Sequence, residues 1–353
     1  MPIVDATAPL LTLWWRTMNL PHPQLNEDHE GEPKEIRRVD GRRIRLHDRR
    51  PELARMQQRF FPEKHTMARL QGDVLVVVSH YNGWPTDQLF SLLDQISNVR
   101  SGCPFGVRIV VNQARPVRLN LPERYAGTDV IHRENTGFNI GAWEAGWRAE
   151  PRREFYLFLQ EECRIVRPGW LQPFVTLARN PRVGLVGELS NQHWDARWSF
   201  LTYHSRYYRQ ETVNSADDRA FDEVSYNLNY LERKGIPRGP RGDHLQSLVL
   251  CSRRSVLEAV GGFELGRNYE EAVAIEVAMS KKIQALGLAV KQVDLHPFTY
   301  IEHPQWNDLA PSSWSRAKRI RKTIRACLRR LTPTRVEEQY RYLMMSMGRY
   351  WPR

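Results

Sequence analysis

The chain has 353 residues, 41% of them hydrophobic, and carries a formal net charge of +12 with a pI near 9.7. This length accommodates one large domain with extensions, or two domains, and the apolar content is sufficient for a buried core. The four cysteines are far apart and form no C-x-x-C pair, which argues against a disulfide scaffold or a zinc site.

The sequence features that bear on location predict a cytoplasmic protein. The first residues lack the basic segment of a signal peptide. No apolar run approaches the roughly 20 residues of a membrane span, so we expect at most a peripheral position at the inner membrane face. The positive charge predicts an anionic partner, which would be a nucleotide diphosphate, an anionic lipid or nucleic acid.

Residues 1–70 are predicted to be an extension that precedes the main domain. Short helices are indicated over Leu10–Leu20 and Pro51–Phe61, and the polar, proline-containing stretch between them predicts a loop.

The main domain is predicted to begin with alternating strands and helices. Val74–Val78 and Val107–Val111 are short apolar runs typical of buried parallel strands. Asp87–Val99 has apolar residues at helical spacing. A third strand over Val130–His132 is followed by a cluster of glycines and asparagines and by a helix that extends to Trp147. This order is that of a nucleotide-binding α/β half.

The most informative stretch is Phe155–Leu159, an apolar, aromatic run that predicts a strand buried on both faces. Glu161 and Glu162 follow it directly. Acids at the carboxyl end of a central strand lie where open α/β sheets bind their ligands. They could hold a hard divalent cation, which would neutralise a diphosphate.

These motifs together resemble a known family. The pattern N-x-G-x-(N/D)-x-G-A at Asn135–Ala142, the aromatic strand ending in two acids, and P-G-W-L at Pro168–Leu171 are similar to GT-A glycosyltransferases of the family-2 type. The similarity is greatest to the bacterial polysaccharide and rhamnan-synthesis branch. The resemblance implies a Rossmann-like mixed α/β sheet flanked by helices over residues 71–305. The N-terminal extension over 1–70 and the basic C-terminal helices predicted over 306–353 lie outside the resemblance.

The resemblance also implies a donor site and a metal site. In the family, the residues after the first strands and in the Gly/Asn cluster hold the nucleotide sugar. The acids after the aromatic strand bind its metal, Mn²⁺ or Mg²⁺, together with a later histidine. The metal ligands would be Glu162 and His303, and this chain has Glu, which is one methylene longer, where the family usually has Asp. The implied donor-binding residues are Ser79, His80, Tyr81, Asn82, Asn112, Asn135, Gly137, Asn139, Gly141, Gln160 and Glu161.

The acceptor is expected on the C-terminal side of the domain. Ser190–Gly242 is long and aromatic, so we interpret it as a lid or sugar-binding region, with a packed β-meander as the alternative. Trp194, Asp243 and His244 are the predicted acceptor-binding residues. Asp243–Leu250 is predicted as a strand, and a helix follows it before the G-G-F-E motif at Gly261–Glu264.

The helix predicted over Tyr269–Leu286 should carry the catalytic base. Glu276 is the favoured residue because it lies eleven residues before Gly287, the spacing that is usual in the family. Glu271 is the alternative, and with Glu270 it has the appearance of the acidic pair found in relatives. A solvated helical carboxylate without a catalytic role is the competing interpretation for each.

Residues 314–353 form a basic tail in which Arg316–Arg330 predicts an amphipathic helix. Two interpretations stay open: the helix docks on an anionic membrane surface, or it packs on the catalytic domain.

The resulting functional hypothesis is a hexosyl- or deoxyhexosyltransferase. It would move a sugar from a nucleotide-sugar donor to a glycan or lipid-linked acceptor, with inversion and metal assistance. One alternative is a relative that binds nucleotide sugars but has lost catalysis, because Glu replaces Asp. The other is a basic nucleic-acid-binding protein, which is disfavoured because no helix-turn-helix, RRM or zinc pattern is present.

Overall fold

The computed structural model describes residues 73–114, 117–125, 128–150, 152–191, 193–205, 209–210, 221–304, 309–331 and 334–346. The predictions for residues 1–70, including both short helices, lie outside the described residues.

A mixed sheet of seven strands forms the centre of the domain, and two pairs of short strands accompany it. In chain order, the strands are β1 (Val74–Tyr81), β2 (Gly106–Gln113), β3 (Asp129–Glu134), β4 (Phe155–Gln160), β5 (Arg164–Ile165), β6 (Val183–Gly187), β7 (Arg209–Gln210), β8 (Phe221–Asp222), β9 (Val249–Arg253), β10 (Ala289–Gln292) and β11 (Ile301–Glu302).

The seven-stranded sheet has the order β10-β6-β9-β4-β1-β2-β3. Neighbouring strands are parallel except around β9, which runs antiparallel to both β4 and β6. The short pairs β5–β11 and β7–β8 are antiparallel. Because β1, β2 and β4 are parallel neighbours, their carboxyl ends meet at one edge of the sheet.

The helices lie on both faces of the sheet and at the C-terminal end of the chain. They are α1 (Asp87–Asn98), α2 (Phe138–Arg148), α3 (Gln172–Ala178), α4 (Trp198–Tyr203), α5 (Glu223–Arg233), α6 (Arg254–Ala259), α7 (Tyr269–Ala285), α8 (Arg316–Leu331) and α9 (Thr334–Ser346). Among the described residues, no helix is long and apolar enough to cross a bilayer.

The central strands β1, β2 and β4 are buried on both faces because they are apolar at successive positions. Val76 and Val78 pack with α1 and α3 on one face. Leu75 and Val77 pack with α2 and α7 on the other, where Trp143 and Phe158 also lie. This alternation follows from the two-residue period of a strand. The predicted mixed α/β sheet flanked by helices is confirmed, and one basic helix, α8, follows it.

The segment between β6 and β9 differs from the β-meander considered for it. Its described residues form helices α4 and α5 and the two-residue pair β7–β8. The strand predicted over Asp243–Leu250 is also displaced, since β9 begins at Val249.

Candidate functional site

The carboxyl edge of the sheet brings several predicted donor-binding residues together. Tyr81 on β1 lies beside Asn112 on β2, and Ser79 lies beside Gln160 on β4. Parallel strands that end together place their last side chains and the loops after them around one crevice, which is the usual ligand position in open α/β sheets.

Three of these residues join the start of α2 to the strand ends. Ser79 Oγ donates to Asn139 Oδ1 at 3.1 Å. Asn112 Nδ2 donates to the carbonyl of Phe138 at 2.8 Å, and its Oδ1 accepts from Arg133 Nη1 at 2.5 Å. The side chains of Ser79, Asn112 and Asn139 therefore build the wall of the crevice through contacts with the protein itself.

Arg133 is a member of this network that the sequence interpretation missed. It is the register partner of Asn112 on the neighbouring strand, and its Nη2 also donates to the Thr136 carbonyl at 2.8 Å. A cation at the end of a strand, directly before the Gly/Asn cluster, is the sequence signal that could have identified it.

The two glycines of the cluster are required by the turn before α2. Gly137 has a φ of 72°, a left-handed conformation that favours glycine. A Cβ at Gly141 would lie 2.0 Å from the Thr136 carbonyl oxygen. Asn135 is exposed at the start of this turn. The glycines thus set the backbone path, while Asn135 presents its side chain to solvent.

His80 and Glu161 form a buried pair between β1 and the end of β4. His80 Nδ1 lies 2.5 Å from Glu161 Oε2, and the side chains are 1% and 3% exposed. The backbone N–H of Tyr81 donates to the other carboxylate oxygen at 3.0 Å. His80 is therefore not on the loop surface, where it would stack on a nucleobase. Both oxygens of Glu161 are held by the protein.

Tyr81 ends β1, and Asn82 begins the loop after it. The rings of Tyr81 and Trp84 meet edge to face, with centroids 5.7 Å apart. Asn82 Oδ1 accepts from the backbone N–H of Ala114 at 2.6 Å, which ties this loop to the one after β2. The two loops together border the crevice.

Glu162 opens onto a cleft of about 310 Å³ between α1 and the loop after β4. Glu161, Asp87 and Glu302 also line this cleft. Burial raises the pKa of Glu162, and the negative charge of Glu161 raises it further. A cation bound here would lower the cost of ionising Glu162, because opposite charge favours the carboxylate.

The predicted metal ligands fit a metal only in part. His303 Nε2 lies 3.1 Å from Gln160 Oε1, and Gln160 Nε2 donates to the Ser247 carbonyl at 2.9 Å. The oxygen of Gln160 is therefore the acceptor, and the imidazole directs an N–H, not a lone pair, from Nε2. Burial lowers the pKa of His303 to about 4, so the ring is neutral.

Within the described residues, no three His, Cys, Asp or Glu side chains are placed to hold a metal together. Mg²⁺ is often held by one or two carboxylates, substrate phosphates and water. Glu162 fits that role by itself. His303 would first have to leave Gln160.

The favoured base, Glu276, lies on helix α7. Its Oε1 accepts from the backbone N–H of Ser247 at 3.1 Å and from Ser247 Oγ at 2.5 Å. Burial raises the pKa of Glu276, while the bonds from Ser247 oppose that shift. Since Gln160 donates to the Ser247 carbonyl, a continuous line of contacts joins Glu276, Ser247, Gln160 and His303.

The alternative base, Glu271, has a local partner instead. It accepts from the backbone N–H of Arg267 at 2.9 Å and from Arg267 Nη2 at 2.7 Å. These hydrogen bonds lower the pKa of Glu271 to about 2. Asn268 caps the same turn by accepting from the Glu271 N–H at 2.9 Å. This arrangement favours helix capping over proton abstraction. Glu270 lies in the same first turn of α7.

The three predicted acceptor residues lie together near the end of α7. Trp194 is buried, with its ring centroid 5.6 Å from that of His244. Burial lowers the pKa of His244 to about 4, and its Nδ1 donates to the Gly242 carbonyl at 2.9 Å. Asp243 accepts from Lys281 Nζ at 3.0 Å. Each side chain therefore makes internal contacts.

Glu188, which the sequence interpretation missed, anchors the loop that leads to His303. This fully buried carboxylate accepts from the backbone N–H groups of Thr299, Tyr300 and Ile301 at 3.0, 2.9 and 2.8 Å. The sequence signal is an acid directly after the apolar strand β6. Burial raises the pKa of Glu188 to about 8.

We expect the protonation of Glu188 to make stability depend on pH. The folded protein holds this proton up to about pH 8, whereas the unfolded chain releases it near 4.5. The Glu188 contribution to the free energy of unfolding should therefore fall as pH rises between these values, by about 1.4 kcal/mol per unit. Urea unfolding of the wild type and of Glu188→Gln at pH 5–8 measures it as their difference. A difference that is independent of pH would contradict the assignment.

No protein-family profile and no curated protein matches this chain. Solved structures that resemble it include the mannosyltransferase PcManGT from Pyrobaculum calidifontis in complex with GDP-Man and Mn²⁺, at 16% identity over 69% of this chain and 61% of that one, with a TM-score of 0.39.

Two further examples have lower identity. GalNAc-T7 with UDP, GalNAc and Mn²⁺ shares 12% identity over 60% of this chain and 41% of that one, with a TM-score of 0.35. A CMP:2-keto-3-deoxy-manno-octonic acid synthetase complexed with CTP shares 13% identity over 62% of this chain and 88% of that one, also with a TM-score of 0.35. This chain spans about three fifths of the mannosyltransferase.

Proposed function

We propose that the protein is a glycosyltransferase that uses a nucleotide-sugar donor. The observation that carries the proposal is a line of hydrogen bonds that joins a buried carboxylate, Glu276, to the edge of the sheet at the end of β4. Glu276, whose pKa is raised by burial, is linked through Ser247 to Gln160 at the end of β4. A crevice at the carboxyl ends of β1, β2 and β4 is suited to a nucleotide, and a nearby carboxylate is suited to proton transfer.

In this proposal, Glu276 accepts the proton of the acceptor hydroxyl as the hydroxyl attacks the anomeric carbon of the donor sugar, with inversion. A raised pKa makes the carboxylate a stronger base. Ser247 holds one carboxylate oxygen in place through its N–H and hydroxyl, and this leaves the other oxygen to take the proton. Gln160, fixed between Ser247 and His303, positions the end of β4.

The donor would lie in the crevice between the loops after β1 and β2 and the turn before α2. The Gly137 turn lets the backbone approach a ligand closely. Arg133 adds positive charge to the wall of the crevice. Glu162 would hold a divalent cation, which when bound neutralises charge on the departing diphosphate. His80 would act by fixing Glu161, not by touching the nucleotide.

The acceptor, in this proposal, is a glycan or lipid-linked sugar in cytoplasmic polysaccharide biosynthesis. Helix α5, in the segment between β6 and β9, shares an apolar cluster with α7, the helix that carries Glu276, and the hydroxyl has to arrive on that side. Trp194, Asp243 and His244 make internal contacts, so they would shape that side and not bind sugar directly.

A second candidate is a nucleotide-sugar-binding protein without catalysis. It is favoured by the internal contacts of Glu161 and His303, each of which is bonded to a neighbouring side chain. A screen of UDP-, GDP- and dTDP-sugars, with and without Mn²⁺, separates the two functions. Released nucleoside diphosphate supports the transferase. Binding by calorimetry without release supports the second candidate, and the absence of both excludes each.

A further inference from the structure

Helix α8 turns its apolar face away from the domain. Ala317, Ile320, Ile324 and Cys327 recur at three- and four-residue spacing and are all exposed. The isoleucines are 54% and 55% exposed, which is unusual for large aliphatic side chains that share one helix face.

The opposite side of α8 makes the contacts with the domain. Thr323 Oγ1 lies 2.8 Å from His296 Nε2. The ammonium groups of Lys318 and Lys322 lie 5.8 and 5.6 Å from the ring centre of Trp314, which is itself buried. The helix is therefore held by polar and cation–π contacts, although burial of its apolar face would be the expected arrangement.

The charge of α8 has a single sign. Its sequence contains no acid, and its cations are Arg316, Lys318, Arg319, Arg321, Lys322, Arg325, Arg329 and Arg330. Arg316 and Arg321 are exposed and, by helical geometry, flank the apolar face on its two sides. A helix with this arrangement lies in the plane of a membrane, with its apolar side chains at the acyl boundary and its cations at the headgroups.

From this arrangement, we infer that the Ala317–Cys327 face of α8 is a docking surface for an anionic lipid bilayer. A second copy of the chain is disfavoured as the occupant, because pairing two such faces would bring together two helices that carry cations and no acids.

Point substitutions in the full-length chain are the suitable test, since α9 also anchors the tail. Glu338 on α9 accepts from the backbone N–H of Arg197 at 2.8 Å, and Arg341 Nη1 donates to the His193 carbonyl at 3.1 Å. Truncation would remove these contacts. Ile320 and Ile324 are exposed, so their replacement leaves the fold intact, which thermal unfolding verifies.

The first experiment is co-sedimentation with vesicles. The intact chain should pellet with phosphatidylglycerol–phosphatidylcholine vesicles and bind pure phosphatidylcholine at least tenfold more weakly. Ile320→Ser with Ile324→Ser should weaken binding tenfold or more without a change in charge, whereas Ile320→Leu with Ile324→Leu should bind as wild type. Each of Arg316→Gln and Arg321→Gln should weaken binding about fivefold. Binding should also fall as salt rises.

The second experiment places a probe on the face. Cys327 is exposed, whereas Cys163 and Cys251 are buried and Cys103 is partly buried, so an environment-sensitive dye will attach mainly at Cys327. Its emission should shift to the blue on anionic vesicles, and the shift should be absent in the double-serine protein.

Four results would overturn the inference. In the first, the double-serine protein pellets as wild type. In the second, the dye shows no shift while the protein pellets. In the third, the serines abolish a lipid-free dimer seen by ultracentrifugation, which would identify a second copy as the occupant. In the fourth, random duplex DNA competes for the dye signal as well as vesicles do, which would identify nucleic acid as the occupant.

Discussion

Replacement of Glu276 by glutamine is expected to lower turnover about 100-fold or more and to leave donor affinity near that of the wild type. Glutamine keeps the size of the side chain and can still accept hydrogen bonds from Ser247 through its carbonyl oxygen. It cannot take a proton from the acceptor. Because the change removes only the base, transition-state stabilisation should be lost without loss of ground-state binding.

Turnover of Glu276→Gln should be measured at saturating donor and acceptor, and donor affinity by calorimetry. Glu271→Gln is the matched control on the same helix, since Glu271 is committed to Arg267. Equal losses of binding and turnover in Glu276→Gln would indicate a structural role. Full activity there, with loss in Glu271→Gln, would move the base to Glu271.

The pH profile gives an independent check on Glu276. Burial raises the pKa of Glu276, so the acid limb of kcat should lie above the usual value for a glutamate. The hydroxyl of Ser247 favours the ionised form, so its removal in Ser247→Ala should move that limb to still higher pH. A limb that stays in place in this variant would separate Glu276 from the chemical step.

The elements that sequence patterns predict well are those whose signal is local. Val74–Val78 and Phe155–Leu159 are parts of β1 and β4, and the helix predicted over Tyr269–Leu286 ends one residue earlier as α7. Apolar runs and helical periodicity indicate directly which residues are buried, so the strands and helices that they form can be predicted from the local sequence. The position of β9, between β4 and β6 and antiparallel to both, depends on long-range pairing.

The candidate site was less predictable, because its contacts join distant parts of the chain. The strand-end residues Ser79, Tyr81, Asn112 and Gln160 lie at one edge of the sheet. It did not indicate that Glu161 would pair with His80, or that Gln160 would bond to His303, 143 positions away. No local sequence pattern marks either contact, because the partners of a buried polar group are determined by the folded structure and not by its neighbours in the sequence.

The orientation of helix α8 also depends on contacts with distant residues. Its periodicity predicts an amphipathic helix, and the helix spans Arg316–Leu331. Periodicity alone cannot decide which face meets the domain. The contacts of Thr323 and Lys322 with His296 and Trp314 decide it, and these partners lie outside the helix.

Replacement of Glu162 by alanine is expected to abolish transfer and to weaken donor binding that depends on a divalent metal. Glu161 is held by His80 and Tyr81, so Glu162 is the remaining carboxylate at the end of β4 that can meet a cation. Its pKa, raised by burial and by Glu161, should fall when a cation binds, which couples metal affinity to pH.

Donor affinity of the Glu162 variants should be titrated against Mn²⁺ by calorimetry, together with turnover. Wild-type affinity should rise with Mn²⁺, and Glu162→Ala should lose that rise while keeping the metal-free affinity. Glu162→Asp, which restores the charge on a shorter side chain, should recover part of the metal dependence, whereas Glu162→Gln should not. Glu302→Gln is the control, because Glu302 lines the same cleft but pairs with Arg164. If Glu162→Ala turns over at the wild-type rate at saturating Mn²⁺, Glu162 holds no catalytic metal.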